Sequence, residues 1–132
     1  MERLILDTSV LVQAERSGRS IDDLADQAAD VVIAAVTAAE LWLGVELAGN
    51  RDRDARRASV EATIERLTVA PYDLSVARDH ARLLEHARRT GRPRGAHDLI
   101  VAATALAQNR TVVTFDTRGF DDLPGVEVRA PA

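Results

Sequence analysis

Short apolar runs punctuate this chain, and between them lie longer stretches where apolar residues return every three or four positions. The first run, Leu4 to Leu6, stops at Asp7, and residues 31–36, 68–71, 111–115 and 126–129 have the same compact apolar character. Runs of that length, bounded by turn-forming residues, read as buried strands. The stretches between them read as helices. Residues 8–16 form a short one closed by Ser17-Gly18. Residues 20–29 form a second, with Ser20 as N-cap and Asp22 and Asp23 in its first turn. Residues 37–48 carry Leu41, Val45 and Ala48 before the Gly49-Asn50 break. Residues 52–67 align Val60, Ile64 and Leu67. Residues 74–89 turn Val76, Leu83, Leu84 and Ala87 inward and end at Gly91, and residues 97–108 give a last helix.

Strands separated by helices predict an α/β fold, here a three-layer α/β/α sandwich around a central, mainly parallel sheet of four to five strands with right-handed crossovers. The strands are too few to close an eight-stranded barrel. No internal repeat or low-complexity tract divides the 132 residues, so a single domain spanning 1–132 is expected.

Composition narrows the class. A hydrophobic content of 46% with 29% charged residues is that of a globular chain rather than a disordered one. With no cysteine, disulfides and thiolate metal sites are excluded, which suits a cytoplasmic location. No apolar run nears the roughly 18 residues of a membrane span, and Leu4 to Leu6 is too short for a secretory core. The net charge of −4 argues at first against a nucleic-acid partner. Its distribution weakens that argument. All 17 basic residues are arginine, clustered at Arg51, Arg53, Arg56 and Arg57 and again at Arg88, Arg89, Arg92 and Arg94. Arginine grips phosphate with two N–H groups at once, although such clusters serve equally as solvated helix faces.

Four acids then stand out by position. Asp7 ends the first predicted strand and Glu40 lies in the first turn of the helix after the second. Asp98 lies in the first turn of the helix before the fourth strand, and Asp116 follows that strand. In an open parallel sheet the strand C-termini share one edge, where ligands bind. Each acid also has a local explanation: Asp7 as an N-cap, Glu40 closing a capping box with Thr37, Asp98 complementing a helix dipole, Asp116 forming a turn. Gathered on one rim, however, several carboxylates repel one another strongly. A hard divalent cation relieves that repulsion; Mg²⁺ takes one or two carboxylates plus waters, and Mn²⁺ substitutes on the same ligands. Such an ion activates water against a phosphoryl centre, so metal-dependent phosphodiester hydrolysis is the chemistry expected. There is no phosphate-binding glycine loop and no nucleophile elbow. Ser9 occupies the position where an aspartyl-nucleophile phosphatase needs a second aspartate. His80, His86 and His97 lack zinc-motif spacing, and His97, beside Asp98, is a candidate substrate contact. The alternatives are a non-catalytic α/β binding module whose acids are only caps, and a metal nuclease that acts on DNA.

The segments LILDTSVLV at Leu4 to Val12, TAAELWLGV at Thr37 to Val45, HDLIVAATA at His97 to Ala105 and VVTFDTRGF at Val112 to Phe120 resemble the PIN-domain family. Their order and spacing are similar to those of the VapC-type toxins of VapBC toxin–antitoxin modules, and the likeness covers nearly the whole chain. The resemblance implies a Mg²⁺- or Mn²⁺-dependent endoribonuclease, with Asp7, Glu40 and Asp98 at the core of the metal site and Asp7 and Asp98 as ligands. The fourth acid departs from the family pattern. The aspartate usual just before the residue matching Phe120 is Gly119 here, so the fourth role falls to Asp116, with Asp121 a weaker candidate. Ser9 matches a hydroxyl position beside the site. The resemblance also implies a homodimer and a VapB-type antitoxin whose C-terminal segment fills an apolar groove. Trp42, the only tryptophan, is expected in the core or along that groove.

Overall fold

Why the chain turns from strand to helix is clearest at its first crossing. In the computed structural model, which describes residues 1–19 and 29–131, β1 (Arg3–Leu6) buries Leu4, Ile5 and Leu6 and gives way at Asp7 to α1 (Thr8–Ser17). Gly18 ends α1 at φ 68°, a left-handed conformation that glycine adopts without a Cβ penalty, and its N–H reaches back to the carbonyls of Ala14 and Glu15. β2 (Asp30–Ala34) leads into α2 (Ala35–Leu47) and α3 (Asn50–Arg66). β3 (Thr68–Ala70) precedes α4 (Leu74–Thr90), whose N-cap Asp73 accepts from the Val76 amide at 3.0 Å. After α5 (Ala96–Gln108) come β4 (Thr111–Val113), a single 3₁₀ turn at Thr117–Gly119, and β5 (Val128–Arg129).

The five strands form one sheet in the order β3-β2-β1-β4-β5, every pairing parallel. Side chains alternate across it and fill two cores. Ile5, Val32, Ala34, Ala70 and Val112 pack against α4 and α5 through Val76, Leu83, Leu99 and Ala102. Leu4, Leu6, Ile33 and Val113 pack on the other face against Val10, Leu11 and Ala14 of α1, with Ala38 and Leu41 of α2 alongside. This is the α/β/α sandwich expected. The chain builds outward from β1 to β3 and returns to place β4 on the other flank of β1, so the switch in strand order falls between β1 and β4. In such sheets that point opens a crevice at the strand C-termini.

Two boundaries differ from the sequence reading in ways that bear on function. Helix α2 begins at Ala35, two residues before the expected start, and β2 ends at Ala34 rather than at residue 36. The β2–β3 ladder reaches Ala34 opposite Ala70, and the next residue, Pro71, has no N–H to extend it. Thr37 therefore sits inside the helix, fully buried, and cannot cap it; the expected Thr37–Glu40 capping box is not formed. Strand β4 stops at Val113, short of residue 115, because the Thr114 hydroxyl and the Phe115 amide turn toward other partners. Trp42 is half-buried and joins neither core, so the expectation of core packing is not met. The helix predicted over residues 20–29 lies, Ala29 apart, outside the described residues.

Candidate functional site

Three of the four acids stand directly on elements that end at the C-terminal edge of the sheet, and a helix turned the other way brings the fourth. Asp7 follows β1. Its backbone occupies the N-cap position of α1 but its carboxylate makes no capping bond. Instead Asp7 Oδ2 accepts from the Ser9 hydroxyl at 3.1 Å and from the Thr114 hydroxyl, beyond β4, at 2.9 Å. The same Thr114 oxygen accepts the Asp116 amide at 3.0 Å, and Ser9 Oγ accepts the Phe115 amide at 3.2 Å. One small web of hydroxyls thus fixes the ends of β1 and β4 relative to each other. Ser9, at the hydroxyl position beside the site, holds Asp7.

Asp98 arrives from the opposite direction. The α5 carbonyl at Gln108 accepts from Arg3 at the N-terminal end of β1, so α5 runs antiparallel to the strands and its first turn returns to the rim. There Asp98 is partly buried beside the 3₁₀ turn. A Cβ placed on Gly119 would lie 3.0 Å from Asp98 Oδ2 and 3.7 Å from Asp116 Oδ2, so this glycine lies close against the two carboxylates. Burial, followed by the charges of Asp7, Asp116 and Glu40, pushes the Asp98 carboxyl up from 3.8 to about 6, with His97 opposing in part. Three negative neighbours acting on one acid place all four expected residues in a single electrostatic cluster.

Glu40 completes it from α2. Freed from capping, its Oε1 accepts from the Thr8 hydroxyl at 3.0 Å and lies 3.5 Å from His97 Nδ1. His97 is therefore tied to an acid of the rim rather than serving only as a helix-start residue. Among the described residues no three Asp, Glu or His side chains are placed to hold a metal ion together as they stand. An open set of carboxylates suits Mg²⁺ or Mn²⁺, which keep most of their waters, better than zinc, which asks for a tight tetrahedral shell. The repulsion that adds to burial in raising Asp98 is what a divalent cation would relieve.

A profile of the PIN domain matches residues 4–126. The chain belongs to the PIN-domain family. Within it several relatives carry VapC names. Ribonuclease VapC5 of Mycobacterium tuberculosis is 37% identical, over 85% of this chain and 82% of that protein. The solved VapBC-5 complex from the same organism is 32% identical, with a TM-score of 0.76 and 98% of each chain covered. The VapBC2 complex of Rickettsia felis, solved on a promoter DNA fragment, superposes with a TM-score of 0.87 over 98% of this chain and 99% of that one; at 20% identity it speaks for the fold alone.

The PIN fold of this chain also contains supporting residues that the sequence reading passed over. Thr8 and Thr114 hold Glu40 and Asp7, and a β-branched hydroxyl at a strand end gives no signal of its own until its partner is known. Arg94, 8% exposed, forms an ion pair with Asp122 and donates to the Arg118 carbonyl at 2.8 Å; Arg92 reaches Asp122 at 2.7 Å. These arginines, left between phosphate contacts and solvated surface by the sequence, instead tie the 3₁₀ turn to Asp122. In the other cluster Arg53 donates to the Glu46 and Ala48 carbonyls at the end of α2, a structural use. Asp121, the weaker candidate, is exposed and is not among the charges that act on Asp98, whereas its neighbour Asp122 pairs with Arg92 and Arg94.

Proposed function

We propose that this PIN domain is the toxin of a VapBC-type module, a Mg²⁺- or Mn²⁺-dependent endoribonuclease in which Asp7 and Asp98 hold the metal. Glu40 and Asp116 shape its shell. The observation that carries the reading is Asp98, a half-buried carboxyl raised to about 6 by its burial and, after that, by three neighbouring acids on one rim. When bound, the ion supplies Lewis acidity, making a water more acidic and offsetting charge that builds on the phosphoryl oxygens. The protein's part is orientation. Ser9 and Thr114 direct one Asp7 oxygen, the α5 N-terminus presents Asp98, and Thr8 with His97 fixes Glu40. The VapC-type names of the relatives support ribonuclease action.

The neighbours solved as VapBC complexes support a VapB-type antitoxin as partner. A groove of about 210 Å³ between α1, α2 and α3, lined by Leu11, Leu41 and Val60 together with the charged Glu15, Arg19 and Arg66, would receive a segment of it that carries both apolar and charged side chains. Exposed Leu47, Tyr72 and Leu74 support self-association as a homodimer. No helix among the described residues is long and apolar enough to cross a membrane, in keeping with action in the cytoplasm. The test is cleavage of single-stranded RNA, transfer RNA and duplex DNA in Mg²⁺ by the wild type and by Asp98→Asn. The substitution should lower RNA cleavage by roughly a hundredfold or more while leaving the fold intact. Cleavage by the variant at the wild-type rate, or cleavage of duplex DNA alone, would overturn the proposal.

A further inference from the structure

The chain has two phenylalanines, and the structure puts them to opposite uses. Phe120 is 1% exposed in the core, whereas Phe115 is 52% exposed and sits one residue before Asp116 at the rim. An aromatic ring left in water beside a cluster of acids loses the burial that usually accounts for such a residue. Its backbone is not loose. The Phe115 amide is bonded to Ser9 Oγ, which donates to Asp7, and the Asp116 amide that follows is bonded to Thr114 Oγ1. The backbone that carries the ring is thus fixed relative to two acids of the site.

Arg118 lies on the other side of Asp116. Its carbonyl is held by Arg94, but its own guanidinium is exposed and has no hydrogen bond or ion pair among the described residues. The neighbouring Arg92 and Arg94 are both committed to Asp122. The segment Phe115-Asp116-Thr117-Arg118 therefore presents an aromatic face, an acid and a free cation in order, on a turn clamped from behind. Unpaired bases stack on exposed aromatic rings, and arginine takes the adjoining phosphate.

We propose that this turn holds the substrate, with Phe115 stacking on an unpaired base next to the scissile phosphate and Arg118 gripping a neighbouring phosphate. The inference rests on the endoribonuclease reading above. It is tested by the binding of a fluorescently labelled single-stranded oligoribonucleotide, in Mg²⁺ and on the Asp98→Asn background, together with steady-state cleavage in the otherwise wild-type protein. Phe115→Ala should weaken binding about tenfold and raise KM more than it lowers kcat, and Phe115→Trp should restore both. Arg118→Gln should instead reduce the slope of log affinity against log salt by about 0.7, the signature of one lost phosphate contact on a single strand. Unchanged binding by Phe115→Ala would overturn the proposal. So would full rescue by Phe115→Leu, which keeps apolar bulk without a π face, or loss of antitoxin inhibition with RNA binding intact. If the wild type shows no Asp98-dependent cleavage of any RNA, the functional reading itself fails. If that cleavage is present and Phe115→Ala matches the wild type, only the stacking assignment fails.

Discussion

Helices α5 and α3 flank the same sheet and are built on opposite terms. Over Ala96–Gln108, α5 buries Leu99, Val101, Ala102, Ala103, Thr104 and Ala105, so it is apolar almost all round. Over Asn50–Arg66, α3 buries Val60 alone and is rich in arginine and acid. A helix gripped on several sides cannot shift without opening a cavity, and its first turn is held in place with it. That is what delivers Asp98 to within reach of Gly119 and Asp116. A helix that buries so little keeps most of its surface in solvent, and the groove bordered by Val60 lies along it.

The difference is open to direct attack, and the largest expected effect is on α5. Leu99→Ala, beside the site and 3% exposed, should cost about 2–5 kcal/mol in denaturant unfolding. An intermediate effect separates the site acid from the core around it. The Asp98 carboxyl titrates near 3.8 when unfolded and about 6 when folded, so the folded protein binds more protons between those values. The stability this contributes is complete below about pH 4 and lost as pH rises through 6. Measured in a chelator from pH 4 to 7.5, Asp98→Asn should therefore gain about 1–2 kcal/mol relative to the wild type, after allowance for partial exposure. A difference flat across that range would contradict the assigned repulsion. The smallest effect belongs to α3, where Arg57→Ala at an exposed position should change stability by no more than about 0.5 kcal/mol.

That contrast also explains what the sequence made legible. The apolar runs and their helical spacers were enough for the sandwich and its parallel sheet, because burial on both faces leaves continuous hydrophobic strands. The four acids were legible from topology, since strand ends share an edge whatever the side chains nearby. What did not show was the choice between a local and a distant partner. Thr37 and Glu40 spell a capping box, yet the register with β3 and the missing N–H of Pro71 moved the helix start and released Glu40 to Thr8 and His97. Arg92 and Arg94 likewise read as phosphate contacts or solvated surface, and neither reading pointed to Asp122, 28 residues and more away, which takes them. Long-range pairing of polar side chains has no period along a chain, so it leaves no pattern to read.

The central claim is that Asp98 and Asp7 act together on one cation rather than as separate caps. Titration of the purified protein with Mn²⁺, followed by the loss of the free-ion paramagnetic resonance signal, tests it without any RNA. Wild-type protein should bind the ion, and Asp7→Asn and Asp98→Asn should each weaken that binding by roughly tenfold or more, at least the effect of losing an outer-shell partner. Equal Mn²⁺ affinity in all three proteins would contradict it.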